Sequence, residues 1–373
     1  MASRSDVSLA SAPLLTTAVA SEHGQRQAVF QRFGVQDAYL VDMSADGTVA
    51  VGVWVSPGTS GRAFRWTAAG GVDDIGGDMD NVYISRDGKT IVGRAQDSQG
   101  IRSAAIWIGE TAWKTLGGVP HGVPDSRAVL SAAHGVSGDG SVVVGSAFVP
   151  PGHFHAFRWD TVSGMVDLGS LQGDDSVAWA VSADGSHIVG YDFYAHNLIG
   201  NGRRGVVFWE GLERLLHPFG RAGEAFATNA DGSVVVGRFS PGALVYLSSG
   251  SVAAPNATAY LYTAWNGQFT DLGAVWNGSP GSNLAEYQAQ PYGVSDDGQM
   301  VVGYTGKYLR GASLWTQRTG MVRIADYLTS QGVTSHDRWD LRLATYVSPD
   351  GKRIAGTGFD PAQAAYSWVV TLP

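Results

Sequence analysis

The sequence predicts an all-β protein, a seven-bladed β-propeller of four-stranded antiparallel blades, on three observations. One ten-residue pattern recurs seven times, each copy is followed by a strand that ends in or near tryptophan, and the last copy stops one strand short. The composition agrees, because 51 Gly and only 16% charged residues suit short strands joined by tight turns rather than long solvated helices.

The pattern Val-Ser-x-Asp-Gly-x-x-Val-Val-Gly, in close or degenerate form, occurs once in each repeat. Its aspartates are at positions 46, 87, 139, 184, 231, 297 and 350. Asp-Gly between two β-strand runs predicts a tight hairpin, because glycine adopts the positive φ that such turns need. A role in the turn explains all seven aspartates together, so we do not expect any of them to be catalytic.

Two further strands complete each repeat. The third strand is predicted to end in or near a tryptophan, and the seven are Trp66, Trp107, Trp159, Trp209, Trp265, Trp315 and Trp368. A fourth strand follows in several repeats, as in the run Met-Val-Asp-Leu-Gly at residues 165–169. A four-stranded meander with two apolar faces must stack against copies of itself, and radial stacking makes a propeller.

The first strand of each repeat has a large side and a small side. Three residues before the repeat serine, the side chains are mostly bulky: Val41, Val82, His134, Trp179, Phe226, Tyr292 and Thr345. One residue earlier they are mostly small: Leu40, Asn81, Ala133, Ala178, Ala225, Pro291 and Ala344. Because side chains alternate across a strand, we expect large residues to pack against small ones between neighbouring blades. His134 is then expected between blades near the axis, as a hydrogen-bonded core histidine.

The two ends of the chain are predicted to close the ring. The last repeat supplies strands at residues 344–348, 353–358 and 366–372 and lacks a fourth. Residues 27–35 contain a strand-like run, so we expect this segment to join the seventh blade and remove its exposed edge. Residues 25–373 then form a single propeller, and residues 1–24 are predicted to be a disordered leader or the remnant of a signal peptide.

Composition and motifs exclude several function classes. The net charge of −8 argues against a nucleic-acid partner, because such surfaces gather Lys and Arg. The absence of cysteine excludes disulfides and thiolate metal sites, and no run of 18 apolar residues predicts a membrane span. His153 and His155 are spaced like a pair of metal ligands, but no third ligand lies nearby, so we predict no metal. No cofactor motif is present.

One repeat carries a family resemblance. The run Val-Ser-Gly-Asp-Gly-Ser-Val-Val-Val-Gly at residues 136–145 is followed by His-Ala-Phe-Arg-Trp at 155–159 and Met-Val-Asp-Leu-Gly at 165–169. This combination resembles the bacterial HAF-repeat proteins, whose name comes from His-Ala-Phe. Only this copy keeps all three letters, and the others read Arg-Ala-Phe, Ala-Ala-Ile or similar. The run Met-Val-Arg-Ile-Ala-Asp-Tyr-Leu at 321–328 is similar to their closing repeat. The resemblance covers residues 40–373 and implies a secreted or cell-surface bacterial propeller, but it carries no catalytic residues.

The long insertions fall on one face of the predicted propeller, which we call the loop face; the Asp-Gly turns lie on the opposite turn face. These insertions are residues 117–131, 191–205, 238–257, 274–290 and 327–341. Insertions on one face of a repeat fold mark its binding face. The candidate ligand-binding residues are Tyr191, Arg204, Tyr246, Trp276, Tyr287, His336, Arg338 and Trp339. Alternatively, these aromatic side chains pin the long loops onto the propeller rim.

Three functions of different kinds remain open. The leading hypothesis is a non-catalytic extracellular or cell-surface propeller that binds a glycan or a protein partner on the loop face and over the channel mouth. The second is a polysaccharide-active enzyme, a lyase or hydrolase, with Tyr194 and His196 as acid-base groups and Arg203 neutralising a substrate carboxylate. The third is a structural scaffold of a surface assembly. A sugar binder is expected to show exposed parallel aromatic rings.

Overall fold

A computed structural model describes residues 28–34, 36–54, 61–77, 82–108, 112–120, 124, 128–171, 173–194, 202–209, 211–216, 222–240, 245–246, 252–253, 258–263, 267–275, 288–306 and 311–373. Within them the chain forms 30 strands and one short helix. The strands build seven four-stranded antiparallel sheets arranged as a β-propeller, as the sequence predicts, and one two-stranded ribbon.

The strand bounds follow the repeats. The first strand among the described residues is β1 (Val29–Phe33). Blade 1 contains β2 (Ala38–Met43), β3 (Val49–Trp54), β4 (Arg62–Thr67) and β5 (Gly71–Gly76), and blade 2 contains β6 (Tyr83–Ile84), β7 (Ile91–Gln96), β8 (Arg102–Ile108) and β9 (Ala112–Gly117). Blade 3 contains β10 (Ser131–Val136), β11 (Val143–Val149), β12 (His153–Asp160) and β13 (Gly164–Gly169), and blade 4 contains β14 (Ser176–Val181), β15 (Ile188–Tyr194), β16 (Gly202–Trp209) and β17 (Leu212–Leu215).

The remaining elements complete the ring. Blade 5 contains β18 (Gly223–Thr228) and β19 (Val234–Phe239), then, after the ribbon of β20 (Val245–Tyr246) and β21 (Val252–Ala253), β22 (Thr258–Thr263) and β23 (Gln268–Gly273). Blade 6 contains β24 (Gln288–Val294), β25 (Met300–Gly306), β26 (Gly311–Thr316) and β27 (Gly320–Arg323), followed by helix α1 (Ile324–Ser330). Blade 7 contains β28 (Asp340–Val347), β29 (Arg353–Phe359) and β30 (Ala365–Thr371), and β1 is its outer strand.

Pairing of β1 with β30 joins the two ends of the chain, as predicted. The register runs antiparallel from Val29 opposite Thr371 to Phe33 opposite Ser367. Ring closure in this way leaves blade 7 with the same four strands as the others and covers the edge of β30.

The repeat aspartate and serine hold the Asp-Gly turns by hydrogen bonds to backbone amides, and in blade 5 Asn229 takes the place of the serine. In blade 3, Asp139 Oδ1 accepts from the Ser137 hydroxyl at 2.8 Å and from the Ser141 amide at 2.9 Å. Ser137 Oγ in turn accepts from the Val142 amide at 2.9 Å. The bond from the backbone amide to the aspartate recurs in all seven turns. The pattern is therefore a hydrogen-bonded turn, and the sequence interpretation is confirmed.

Neighbouring turns pack against each other at the turn glycine. Gly185 in blade 4 has φ +77°, and a Cβ there would lie 2.7 Å from Val142 Cγ2 of blade 3. The Gly138 amide also donates to the Ala183 carbonyl oxygen of the next turn at 2.9 Å. In every blade a Cβ on this glycine would contact the preceding turn; the other positions are Gly47, Gly88, Gly140, Gly232, Gly298 and Gly351. Glycine is required here both by its φ and by the space.

A β-bulge in the inner strand turns the bulky column toward the axis. In blade 3, Ala133 pairs with Gly145 and Gly135 with Val144, so His134 is the extra residue. A Cβ on Gly145 would lie 2.0 Å from the Ala132 carbonyl oxygen, which explains the last glycine of the repeat pattern. The corresponding bulged residues are Val41, Trp179, Phe226, Tyr292 and Thr345.

The prediction that large residues pack against small ones between blades is therefore correct for the small column and wrong for the bulky column. Ala133 and Ala178, from the small column, do lie in the clusters between blades. His134 and Trp179, from the bulky column, line the central channel instead. The bulge causes the difference, because an extra residue interrupts the alternation of side chains along the strand.

The tryptophans fall into two groups rather than one equivalent set. Trp66, Trp107, Trp159 and Trp315 share one third-strand position, each paired with the residue two before the repeat glycine. Trp209 lies one residue beyond that position and is 46% exposed, and Trp368 lies two residues before it and is fully buried. Trp265 lies outside the described residues.

Buried apolar side chains of the described chain form seven clusters, and each is shared by two adjacent blades. The cluster between blades 6 and 7 includes Ile324 and Leu328 of α1, packed with Trp368. The all-β prediction did not include this helix, which belongs to an inter-blade link. Burial of two apolar side chains four residues apart anchors it, because such residues share one helical face.

The turn packing predicts that Gly185→Ala destabilises the protein more than Gly164→Ala. Both glycines have positive φ, but a Cβ at Gly164 would contact nothing within 4 Å. We expect Gly164→Ala to cost about 1 kcal/mol for its conformation, and Gly185→Ala roughly 1–3 kcal/mol more for overpacking. Urea unfolding of the two variants measures the difference, and equal costs would contradict interlocked turns.

The turn hydrogen bonds also predict an acid dependence. The amide of Ser141, followed by the hydroxyls of Ser141 and Ser137, lowers the pKa of Asp139 to about 2 from 3.8. Between these pH values the unfolded chain binds more protons, so the free energy of unfolding falls as pH falls from about 4 to about 2. We expect the stability difference between wild type and Asp139→Asn to shrink over that window in urea titrations; a constant difference would contradict it.

Candidate functional site

Five of the predicted site residues have side chains outside the described residues. Tyr194 and Tyr246 are placed by their backbones, in β15 and β20, and His196, Trp276 and Tyr287 lie outside the described ranges. The proposed catalytic set is Tyr194, His196 and Arg203. Arg203 is the one member of this set whose side chain is among the described residues.

The link between α1 and β28 holds three further predicted residues. His336 is 4% exposed, its ring lies 6.1 Å from that of Phe30, and its Nε2 is 3.3 Å from the Thr329 hydroxyl. Trp339 packs edge-on against the same Phe30 at 5.3 Å. Arg338 is exposed and has φ +69°. His336 and Trp339 thus pin the link onto blade 7, which is the alternative that the sequence left open for the aromatic residues.

The insertion at residues 191–205 is largely an extension of the blade 4 hairpin, because β15 continues to Tyr194 and β16 starts at Gly202. Tyr191 is buried, and the Arg203 guanidinium lies over its ring with Cζ 4.3 Å from the centroid. Arg204 is buried too, and it donates from Nη1 to the Arg203 carbonyl oxygen at 3.2 Å. Of these three residues, Arg203 is the one exposed at the loop face.

The inner strands enclose a central channel with a cavity volume of about 220 Å³. Blades 3 to 6 place four rings side by side along its wall, the aromatic row of His134, Trp179, Phe226 and Tyr292. Successive ring centroids are 4.8, 6.4 and 6.5 Å apart, and the ring planes are tilted by 51°, 34° and 56°. The rings are therefore not parallel, and they surround a hollow rather than form a flat platform.

A cluster of charges borders the aromatic row at the loop-face mouth. Glu224 Oε1 accepts from Arg203 Nη1 at 3.1 Å and from Arg238 Nη2 at 2.8 Å, and we call these three residues the charged clamp. Arg238 also donates to Gln290 Oε1 at 3.1 Å, and its Cζ lies 5.5 Å from the Phe226 ring centroid. Glu224 is 4% exposed, whereas the Arg203 side chain is 48% exposed. One buried carboxylate thus organises two guanidinium groups.

An ion pair bridges the channel at its other end. Arg86 Nη2 of blade 2 lies 2.5 Å from Asp296 Oδ2 of blade 6, and both residues directly follow the repeat serine at the turn face. Beside them, Asp42 accepts from the amides of Met43 and Ile84 at 2.8 and 3.1 Å. Burial raises the pKa of Asp42 to about 6 from 3.8, although these bonds and Arg86 oppose the rise. The cavity therefore extends from the aromatic row to the turn face, where this ion pair is part of its wall.

The histidines do not form a metal site in the described part of the chain. His155 Nδ1 lies 3.0 Å from Asp167 Oδ2, a bond that raises the pKa of His155, and His153 Nδ1 lies 3.6 Å from Asp175. In blade 1, Arg62 and Asp74 make the equivalent contact between the third and fourth strands. No group of three potential metal ligands occurs among the described residues.

Sequence reasoning missed Glu224, Arg238 and Gln290. Glu224 and Gln290 stand five residues before the repeat serine position, and Arg238 directly follows the repeat glycine, so all three lie in regular strands. Other repeats carry residues such as Tyr39 and Val177, or Val53 and Ser146, at these positions. The position after the repeat glycine holds no recurring residue type, since Arg94 and Ser146 also occupy it, so a charged residue there is not a distinct signal in the sequence.

Comparison with solved structures finds β-propellers. An oligogalacturonate lyase in complex with manganese matches with a TM-score of 0.54 and 16% identity, over 93% of this chain and 97% of that chain. The β-propeller domain of the Trilobed protease from Pyrococcus furiosus matches with a TM-score of 0.55 and 10% identity, over 90% and 94%. A puromycin hydrolase mutant complexed with PGG matches with 0.53 and 12%, over 89% of this chain and 51% of that chain.

At these identities the likeness establishes the fold alone. No protein-family model matches the sequence, and no curated protein matches it. The one helix among the described residues, α1, has seven residues and is too short to cross a bilayer.

The position of His134 predicts a second pH dependence. Burial, with a contribution from nearby Arg94, lowers the pKa of His134 to about 4 from 6.5, and its Nε2 is 3.0 Å from Ser146 Oγ. Because the unfolded chain binds the proton at higher pH, the free energy of unfolding falls as pH falls from about 6.5 to about 4. We expect His134→Gln to lose less stability over this window in urea titrations. A loss equal to that of wild type would contradict a buried neutral imidazole.

Proposed function

We propose that this protein is a non-catalytic binding propeller that holds its ligand at the loop-face mouth of the central channel. The observation that supports this most is the contact between the charged clamp and the aromatic row, at Arg238 and Phe226, because this row lines a channel of about 220 Å³. Aromatic walls with a few positioned polar groups are the usual composition of a ligand site. The resemblance to HAF-repeat proteins further supports a place outside the cytoplasm, as a secreted or cell-surface protein.

The groups at the mouth are suited to recognition. Glu224 Oε1 accepts hydrogen bonds from two guanidinium groups, which fixes the position of its carboxylate. His134 is buried beside Ser146 with a pKa of about 4, which keeps it neutral above that pH. Each group is fixed by a neighbour, and such preorganisation lowers the entropy lost when a ligand binds.

The proposal predicts that Trp179→Ala weakens ligand binding while Trp209→Ala does not. Both tryptophans belong to blade 4, but Trp179 lies in the aromatic row and Trp209 is 46% exposed near the turn face. Loss of a central aromatic side chain is expected to weaken binding roughly 30-fold, about 2 kcal/mol. Calorimetric titration with neutral oligosaccharides, acidic oligosaccharides and peptides, preceded by a thermal-shift screen, measures the affinities.

Two results would count against the proposal. Binding that survives Trp179→Ala, or that Trp209→Ala weakens equally, would move the site away from the mouth. Formation of product from a polysaccharide by the wild type, and not by the Tyr194→Phe, His196→Ala double variant, would make the protein a polysaccharide-active enzyme instead.

A further inference from the structure

The cavity in the central channel has an aromatic side on blades 3 to 6. The aromatic row lines it, and all four rings keep part of their surface accessible although they stand on the inner strands. Neighbouring ring planes are tilted by 34° to 56°, so the row curves around the cavity. A curved row of rings suits a compact, rounded group rather than a flat one, and the faces of such rings attract cations.

The opposite side of the cavity, on blades 7, 1 and 2, is polar. It is formed by the inner-strand residues that stand two before the repeat serine position, which here are Tyr346, Asp42 and Tyr83. Blades 3 to 6 carry small residues at this position: Gly135, Ala180, Ala227 and Gly293. The cavity therefore has aromatic rings on one side and a carboxylate flanked by two tyrosines on the other.

Asp42 places a fixed carboxylate at this cavity. Its oxygens accept hydrogen bonds from the amides of Met43 and Ile84, at 2.8 and 3.1 Å. These neutral donors hold the group in position without compensating its charge. Asp42 is partly accessible, and its pKa of about 6, raised by burial, leaves it ionised at neutral pH. A cation bound in the cavity would compensate this charge.

The described residues that line the cavity carry more negative than positive charge. Arg86 is paired with Asp296 at 2.5 Å, so two carboxylates, those of Asp42 and Asp296, share one guanidinium. His134 is neutral above its pKa of about 4, and burial raises the pKa of Tyr83, which keeps its phenol neutral. Two carboxylates and one guanidinium give this lining a net charge of −1 near neutral pH.

Neighbouring cations outside the lining do not remove this charge. The cation that acts on Asp42 is Arg86, which is already paired. Arg94 and Arg353 lie nearby, but neither lines the cavity, and Arg353 interacts with the oppositely charged Asp350. The protein as a whole has a net charge of −8, which draws cations rather than anions toward a cleft.

The size of the cavity limits its ligand to a small molecule. Its volume of about 220 Å³ corresponds to roughly seven water molecules at about 30 Å³ each. At the turn-face end the side chains of Arg86 and Asp296 are 32% and 39% exposed, so this end of the cavity meets solvent. A compact molecule fits the space, whereas the ion pair that spans blades 2 and 6 excludes an extended chain.

We infer that this cavity binds a small organic cation, a methylated ammonium ion. The ammonium group lies between the Asp42 carboxylate and the rings of Trp179 and Phe226, where the charge and the ring faces both stabilise it. Methyl groups need no hydrogen-bond acceptors and bury favourably against aromatic carbon, which a hydrated metal ion does not. The site extends from the aromatic row to the turn face, so it goes beyond the binding function proposed for the loop face and does not depend on it.

The test compares two probes of the same shape. Calorimetric titration measures binding of choline and of dimethylbutanol, the neutral alcohol in which a carbon atom replaces the nitrogen. We expect choline to bind at least ~10-fold more tightly, because the alcohol has no charge for the carboxylate and the rings. Asp42→Asn is expected to remove most of this preference. Trp179→Leu is expected to weaken choline more than the alcohol, because leucine keeps an apolar wall but has no ring face.

The pH dependence of choline binding gives a second readout, which a purely structural role of Asp42 does not produce. The groups that act on this carboxylate are the amides of Met43 and Ile84 and, as a charge, Arg86; the neighbouring Tyr83 stays neutral. Because the pKa of Asp42 is about 6, the affinity of the wild type is expected to fall about 10-fold between about pH 7.5 and about pH 5. Asp42→Asn is expected to show no such fall.

A matched control separates the cavity from the protein surface. Asp74→Asn makes the same substitution in the same blade at an exposed residue that is paired with Arg62, and we expect it to leave both affinities unchanged. Thermal unfolding of each variant shows that it is folded before binding is measured. If Asp42→Asn does not fold, Trp179→Leu and the pH profile of the wild type still decide the question.

The outcomes distinguish this inference from the proposed function. Equal affinity for choline and the alcohol overturns the inference, as does a preference for choline that survives Asp42→Asn, or no binding of choline by the folded wild type. Binding of a sugar or peptide that depends on Trp179, without binding of choline, leaves the loop-face function standing alone. Binding of choline that depends on Asp42, with no sugar or peptide bound, supports the cation site and counts against the loop-face function.

Discussion

The packing of each Asp-Gly turn against the turn before it is the constraint on which the rest of the structure depends. Gly185 shows the two requirements together, a φ of +77° and no room for a Cβ beside Val142. Aspartate and serine accept from amides that this close approach would otherwise leave without partners. Because neighbouring inner hairpins are held together at the turn face, by backbone hydrogen bonds at five junctions and by the Asn229 and Arg353 side chains at the other two, the chain can extend its loops at the opposite face without disturbing the ring.

The β-bulge converts this regular ring into an asymmetric site. An extra residue in each bulged inner strand faces the channel, where neither the turn nor the inter-blade core restricts its identity. Blades 1 and 7 place Val41 and Thr345 there, while blades 3 to 6 place four rings. Seven similar sheets thus give a channel wall on which four neighbouring blades place rings side by side, and the charged clamp of blades 4 and 5 borders that row. The blades therefore differ mainly at the bulged residue of the inner strand and at the strand positions of the charged clamp.

Short sequence motifs predicted most of the fold, whereas the candidate site depends on contacts between residues that lie far apart in the sequence. The hairpins follow from motifs that act within about ten residues, such as the hydrogen bond from the Ser141 amide to Asp139. The closing strand follows from the missing fourth strand of the last repeat. The direction of His134 depends on a shift in strand pairing that no single-strand pattern records. Glu224 and Arg203 meet from different blades, 21 residues apart, at positions without a recurring residue type. Helix α1 forms because a link can bury Ile324 and Leu328 against blade 7, which is a tertiary effect.

The two ends of the channel carry charged contacts of different kinds. At the turn face, Arg86 and Asp296 pair one to one across the channel, so each charge is compensated and the contact ties blades 2 and 6 together. At the loop face, one buried carboxylate serves two guanidinium groups. Without Glu224, Arg203 and Arg238 would repel each other. A buried charge is costly unless it is compensated, so the two guanidinium groups stabilise Glu224, and Glu224 in turn ties Arg203 of blade 4 to Arg238 of blade 5.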